Sequence, residues 1–187
     1  EIDGNLLPAI DGMARIEGLL EQPDLVESWL RRAMNSHPQN WKTHQNLGLH
    51  LHQQGKDKEA EQLLKRAVSL TKSKEAAPRL ALAELYLDRN ESTRGLLEAE
   101  RAISIDPSAM AWFIRGRAHF QLEAYEDAEE DFRRATLSDP NMHAARGAIG
   151  NVRIALGDLQ GAAQAFRSAL RFDPNNRAAR ENLMRVE

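Results

Sequence analysis

The feature that most constrains this chain is a spacing of about 34 residues that recurs along its length. Pro107, Pro140 and Pro174 follow one another at this spacing, and Pro38 lies two further steps before Pro107. An alanine stands five positions before each of these prolines. Such a period indicates one supersecondary unit copied along the chain, with neighbouring copies burying a shared core.

Each repeat divides into two amphipathic segments with apolar residues at spacings of three and four, which is the pattern of helices. Short polar turns join the two segments, at residues 21–24, 54–57, 88–91, 122–125 and 156–159. Neither β-branched alternation nor an Asn-Gly or Asp-Gly hairpin occurs between apolar runs. The sequence therefore predicts an all-α fold of stacked antiparallel helix pairs.

Small residues recur midway along the first helix of each repeat, where a missing side chain lets the second helix approach closely: Gly48, Ala83, Gly116 and Gly150. The second helices supply small residues of their own, which are Ala60, Gly95, Ala128 and Ala162. Bulky residues are expected to fill the gap to the next repeat, namely Leu30, Leu64, Phe132 and Phe166. One repeat cannot bury its apolar face alone, so stacking is predicted to create the core.

These residues resemble the tetratricopeptide repeat (TPR) family, most closely in Trp112-Phe113-Ile114-Arg115-Gly116 followed by Ala128, Phe132, Ala135 and Pro140. The resemblance implies a right-handed α-solenoid, the TPR superhelix, as a single array over residues 1–187. Its repeats would cover residues 7–40, 41–75, 76–108, 109–142 and 143–176, with a C-terminal capping helix at 177–187. Val26 and Lys72 depart from the family pattern without threatening the fold.

In proteins similar to this one, the first helices line a concave groove that binds a peptide or segment of a partner protein. The resemblance places eight residues in that groove: Asn46, Leu80, Glu84, Met110, Phe113, Ile114, Arg117 and Asn151. We expect an apolar or amphipathic partner segment, with Arg117 pairing an acidic group at the rim. The family's carboxylate clamp is not expected, because only Asn46 of its residues is in place. The alternative, equally weighted, is that Phe113 and Met110 simply pack between neighbouring first helices.

Composition narrows the function further. The formal net charge of −3 disfavours nucleic-acid binding, which needs a basic surface, and the chain has no cysteine and no apolar run long enough for a membrane span. No His pair has i,i+4 spacing, and phosphate-loop and catalytic motifs are absent from the sequence. The six histidines are expected to be groove or surface residues, and the acidic run 126–131 to be a solvated face. We therefore expect no enzyme activity, no metal and no cofactor.

Charge is distributed unevenly: residues 1–40 carry seven acids and three bases, and residues 143–187 carry four acids and seven bases. These complementary ends would permit head-to-tail self-association, although random clustering on a solvated surface is favoured over it. A second alternative is that the chain is an accessory TPR module excised from a larger multidomain enzyme or secretion or assembly component. The partner and the compartment stay open.

Overall fold

A computed structural model describes residues 23–72 and 74–187, and every regular element in those ranges is a helix. They are α1 (Pro23–Ser36), α2 (Trp41–Gln53), α3 (Asp57–Leu70), α4 (Ala77–Asp88), α5 (Ser92–Ile103), α6 (Ala109–Gln121), α7 (Tyr125–Ser138), α8 (His143–Ala155), α9 (Leu159–Phe172) and α10 (Arg177–Val186). The predicted all-α fold is confirmed. The predicted first helix of the 7–40 repeat lies outside the described residues.

Local sequence explains where these helices begin. Asn40 caps α2 by accepting the backbone N–H of Lys42 at 3.0 Å, and Asn176 caps α10 by accepting that of Ala179 at 2.9 Å. The turns inside the repeats need a residue with positive φ after the first helix. Gly55 and Gly157 supply it in two of them, with φ of 72° and 79°.

The chain divides into two compact units, one ending at Leu85 and the other beginning at Tyr86. In the first unit, α2 and α3 pack through the predicted small residue. A Cβ added to Gly48 would lie 2.9 Å from Leu64 Cγ, so the missing side chain is what admits Leu64. Leu47, Leu51 and Leu64 have no exposed surface. Burial of this kind contributes about 1.5–3 kcal/mol per large aliphatic side chain.

In the second unit the glycine of a first helix also packs against a large side chain of the second helix, which here is phenylalanine. Cβ atoms added to Gly116 and Gly150 would lie 2.8 Å from the ring of Phe132 and 2.5 Å from the ring of Phe166. Both rings are buried, and α10 covers the second one with Ala179 while Leu183 and Val186 pack alongside. The predicted roles of both glycines and both phenylalanines are therefore confirmed. The single continuous array over residues 1–187 stays a prediction.

Candidate functional site

A pocket of about 330 Å³ lies within the second unit, between the first helices α6 and α8 and the C-terminal helix α10. Its lining is mostly apolar and small, with amide side chains at the edge: Phe113, Arg117, Phe120, Gln121, Phe132, Ala144, Gly147, Ala148, Asn151, Phe166, Asn176, Ala178, Ala179 and Asn182. A concave site with an apolar interior and a few polar groups is the usual form of a binding pocket.

Aromatic rings form the fixed part of the pocket. The ring centroids of Phe113 and Phe132 are 5.6 Å apart at an interplanar angle of 50°, and Phe120 meets Tyr125 edge-on at the same distance. Phe132 and Phe166 are held inside the core of the unit. Because these two rings are enclosed by the core, the apolar base of the pocket exists before any partner arrives.

Gly147 provides the opening. A Cβ added at this position of α8 would meet no atom within 4 Å, although Gly150, one helical turn further, would clash with Phe166 at 2.5 Å. Gly147 is the counterpart, in the 143–176 repeat, of Phe113 in the 109–142 repeat. The pocket therefore occupies a place where the preceding repeat carries an aromatic side chain.

The polar edge of the pocket is made of amides. Asn182 of α10 donates from Nδ2 to Oδ1 of Asn151 at 3.0 Å. Gln121 donates from Nε2 to the carbonyl oxygen of Leu87 at 3.1 Å and accepts the hydroxyl of Ser92 at 2.8 Å. Amides offer both donors and acceptors, so an edge of this kind suits the backbone of a peptide.

The charge at the edge is compensated. Arg117 Nη2 lies 2.9 Å from Asp88 Oδ1, an ion pair within the second unit. The sequence analysis expects Arg117 to pair with an acidic group of a partner, but its guanidinium is already paired with Asp88. The pocket combines an apolar interior with a nearly neutral edge.

The eight residues predicted for the groove fall into separate places. Phe113, Arg117 and Asn151 line this pocket together. Ile114 is a correction: its side chain has no exposed surface, because it points into the core of the unit, and it cannot touch a partner. Met110 is 45% exposed but outside the pocket lining. Asn46, Leu80 and Glu84 belong to the first unit and stay predictions.

Sequence reasoning missed the contribution of α10. Ala178 and Asn182 line the pocket, and they follow Ala144 and Ala148 of α8 by one repeat length. The capping helix thus continues the repeat as one more first helix. Extending the spacing past Pro174 would have revealed both residues.

The acidic run 126–131 is only partly solvated, which corrects the sequence-based expectation. Asp131 is 1% exposed and accepts from Arg115 Nε at 2.8 Å and Nη2 at 2.5 Å. Its Oδ2 also lies 2.9 Å from His119 Nδ1. The hydrogen bond with Asp131 raises the pKa of Arg115 above its usual range, even though burial acts in the opposite direction.

Trp112 is held beside this cluster. The guanidinium carbons of Arg115 and Arg134 lie 4.7 and 4.9 Å from its ring centroid, and its indole N–H donates to the carbonyl oxygen of Pro107 at 3.1 Å. The ring thus packs against two cations, which add about 0.5–2 kcal/mol each.

Two histidines also differ from expectation. His44 and His50 are buried at 7% and 8% exposure, rather than standing in a groove or on the surface. They lie on the face of α2 that packs in the first unit. Within residues 23–72 and 74–187 no three side chains of ligating type come together as a metal site. No helix of that part is both long and apolar enough to cross a bilayer.

Comparison with known proteins identifies the repeat. A tetratricopeptide repeat family model matches residues 80–139 and 124–177, and a second model of that description matches residues 43–77. No curated protein matches the chain in sequence.

Solved structures share the fold. The chain matches TTC0263, a thermophilic TPR protein of Thermus thermophilus, with a TM-score of 0.83 and 18% identity, covering 96% of this chain and 98% of that one. A chain of the APC/C hetero-tetramer Cut9–Hcn1 matches with a TM-score of 0.83 and 19% identity over 96% of this chain. This chain spans only 36% of that one.

A third match is YrrB, a TPR protein with an unusual peptide-binding site. Its TM-score is 0.67 at 15% identity, with 91% of this chain and 88% of that one covered. Likeness at such identities concerns the fold, an α-solenoid of stacked antiparallel helix pairs as predicted. The family models extend over more than half of the sequence, and the chain therefore belongs to the tetratricopeptide repeat family.

Proposed function

We propose that this chain is a non-catalytic protein-interaction scaffold whose second unit binds a segment of a partner protein through one large apolar side chain. Tetratricopeptide repeats support a scaffold role in general. The observation that carries the specific proposal is the open space at Gly147, backed by the rings of Phe113, Phe132 and Phe166. A rigid apolar pocket of this size admits one aromatic or long aliphatic anchor.

The edge of the pocket indicates how the rest of the segment is held. Asn151, Asn182 and Gln121 present amide groups beside the opening, and such groups exchange hydrogen bonds with a peptide backbone. The pairing of Arg117 with Asp88 leaves little net charge to attract an acidic residue. We therefore infer an uncharged segment, and the acidic contact expected from the sequence is not part of the proposal.

The similarity to YrrB supports peptide binding as a property available to this fold. It does not locate the site, because function within a shared fold has to be argued from the site itself. For this chain, peptide binding is therefore inferred from the residues that line its own pocket.

The experiment is a selection from a displayed random-peptide library on the purified chain, followed by affinity measurement on two variants. Gly147→Phe restores the aromatic residue of the preceding repeat and fills the pocket. Gly147→Ala adds one methyl group in open space and is the matched control. We expect selected peptides to share an apolar anchor and to bind Gly147→Phe at least tenfold more weakly, about 1.4 kcal/mol, with Gly147→Ala close to the parent.

Selected peptides that bind Gly147→Phe as tightly as the parent chain would place binding elsewhere. Circular dichroism on both variants ensures that lost binding is not lost folding. Because Cβ atoms at this position meet no neighbour, both variants are expected to fold.

A second candidate is a module role inside a larger assembly. It is favoured by the match to a Cut9–Hcn1 chain of which this chain spans 36%. The sequence of the gene on both sides of these 187 residues tests it: a contiguous catalytic or assembly domain would support the module role. Head-to-tail self-association stays a prediction, for which sedimentation at low and high salt is the test.

A further inference from the structure

A second pocket, of about 200 Å³, lies between α8 and α9. It shares no lining residue with the first pocket and is formed by Arg146, Ile149, Arg153, Gln164, Ala165 and Ser168. Because Gly147 and Ala148 of α8 line the first pocket, this helix carries a pocket on each of two faces.

The preceding repeat shows what normally fills this space. One repeat earlier, the six lining positions are Trp112, Arg115, His119, Glu130, Asp131 and Arg134. There the Asp131 carboxylate is bound by Arg115 and His119, with Trp112 packed against two guanidinium groups. A buried carboxylate is thus the centre of the equivalent cluster.

The repeat before that one also has a buried carboxylate at this position, although its cationic partner lies on the same helix. Glu98 is the counterpart of Asp131 in the 76–108 repeat, is 7% exposed, and accepts from Arg101 Nη1 at 2.5 Å. Two consecutive repeats therefore supply their own buried carboxylate at this position. In the 143–176 repeat the position is Ala165, so the carboxylate is missing and a pocket takes its place.

Two basic residues line this pocket, Arg146 at the counterpart of Trp112 and Arg153 at the counterpart of His119. The counterparts of Arg115 and Arg134 are the uncharged Ile149 and Ser168. Nε of Arg146 is buried and has no hydrogen-bond partner among residues 23–72 and 74–187. Its side chain is held in place, since Nη2 donates to the carbonyl oxygen of Pro140 at 2.5 Å and the guanidinium carbon lies 4.2 Å from the ring centroid of Phe172. No carboxylate in the described part of the chain forms an ion pair with Arg146.

Arg153 differs, because its charge is compensated. Its Nε and Nη2 donate to Glu129 Oε1 at 3.1 and 3.0 Å, and Nη1 donates to the carbonyl oxygen of Gly161. The pocket therefore has one uncompensated positive charge, on Arg146. One charge of that kind matches a single carboxylate better than a doubly charged phosphate group.

We propose that this pocket binds an aspartate or glutamate side chain from an acidic segment of a partner protein. The incoming carboxylate enters the space beside Ala165, the counterpart of Asp131, and it accepts from the guanidinium of Arg146. Gln164 and Ser168 provide further donors in the same pocket. The site is independent of the apolar pocket at Gly147, so either can exist without the other.

The test uses a hexaglutamate peptide with blocked ends as the probe, at low ionic strength. In the isotope-labelled chain, the Nε–H resonance of Arg146 is expected to shift on binding. Arg146→Gln and Ala165→Asp are each expected to weaken the affinity about tenfold, because the first removes the donor and the second supplies a competing internal carboxylate. Arg185→Gln, which removes an exposed charge on α10, is the charge-matched control and is expected to stay within about twofold.

A second readout does not depend on peptide affinity. Ala165→Asp alone should reproduce the shift of the Arg146 Nε–H resonance, whereas the uncharged Ala165→Asn should not. Thermal melts monitor folding of each variant, and Gly147→Phe should retain hexaglutamate binding.

The proposal is wrong if the peptide does not bind, if Arg185→Gln and Arg146→Gln weaken binding equally, or if the Arg146 resonance does not move. Acetate is tested at the same carboxylate concentration as the peptide. If acetate binds as tightly per carboxylate, the site is for small carboxylates and the assignment to a protein segment is wrong.

Discussion

The 109–142 and 143–176 repeats use the same device to pack their helices and differ around it. In both, a glycine of the first helix receives a phenylalanine of the second, as Gly116 with Phe132 and Gly150 with Phe166. Neighbouring positions are changed in the later repeat, and among them Arg146, Gly147, Ile149 and Ala165 replace Trp112, Phe113, Arg115 and Asp131. The helix contact is kept while the surrounding volume and charge are free to change.

The changes open space on two faces of α8. Replacement of Phe113 by Gly147 accompanies the apolar pocket, and replacement of Asp131 by Ala165 accompanies the pocket beside Arg146. Neither space is filled by the chain itself, so the later repeat gives up packing that the earlier one has. Loss of local stability at a binding site is a common trade in proteins.

The largest expected difference between the two repeats comes from removing the buried carboxylate of Asp131. Asp131→Ala is expected to lower the free energy of unfolding by about 3 kcal/mol, because it leaves the half-buried guanidinium of Arg115 without its carboxylate partner. Chemical denaturation measures this directly. Ala165→Ser, at the counterpart position, should change stability by less than about 1 kcal/mol.

The double variant Arg115→Ile with Asp131→Ala gives the earlier repeat the residues of the later one. It should recover much of the loss, since removing both partners leaves no uncompensated charge. If the double variant is as unstable as Asp131→Ala, the lost ion pair is not the reason for the lower free energy of unfolding.

A smaller effect separates two glycines of α8 that lie on successive turns of the helix. Gly150→Ala should destabilise by about 1–2 kcal/mol, because the new methyl group would overlap the enclosed ring of Phe166. Gly147→Ala should stabilise by up to about 1 kcal/mol, since it improves helix propensity where no atom is in the way. Thermal unfolding of the two variants measures the difference. Equal effects would show that Phe166 can move aside.

The shared part of the two repeats is the part that the sequence predicts. Gly116, Phe132, Gly150 and Phe166 recur at fixed spacing because two helices can approach closely only where a side chain is missing. The fold depends on that contact, so it is readable from spacing alone.

The site is less readable because it arises where the pattern is broken. Asp131 belongs to a run of acidic residues, and nothing in the run marks one member as buried. Asp131 is buried because it is next in sequence to Phe132, whose ring packs against Gly116. Ile114 was misplaced for a similar reason, since neighbours on one helix face different sides.

The first unit offers an ion-pair cluster that is largely exposed, in contrast to the enclosed Asp131. Glu27 accepts from Lys56 Nζ at 2.7 Å and from Arg31 Nε at 2.8 Å, and Arg31 also reaches Glu59 at 2.8 Å. The hydrogen bond with Lys56, followed by that with Arg31, holds the pKa of Glu27 below its ordinary value. The bases are exposed by more than a third, so solvent screens these pairs and their effect on stability is below about 1 kcal/mol.

The sign of the pH dependence follows from that lowered pKa. The folded chain releases the Glu27 proton more readily than the unfolded chain, so the stabilisation is complete above the ordinary glutamate pKa of about 4.3 and is lost as pH falls through the lower pKa of the folded state. Titration of the Glu27 carboxyl carbon by NMR should give a midpoint below about 4.3. Lys56→Gln should raise it, whereas Lys58→Gln, which removes a nearby exposed charge, should leave it nearly unchanged. Equal movement in both variants would mean that general surface charge lowers the pKa, and the contrast with Asp131 would then be one between a specific buried contact and a diffuse field.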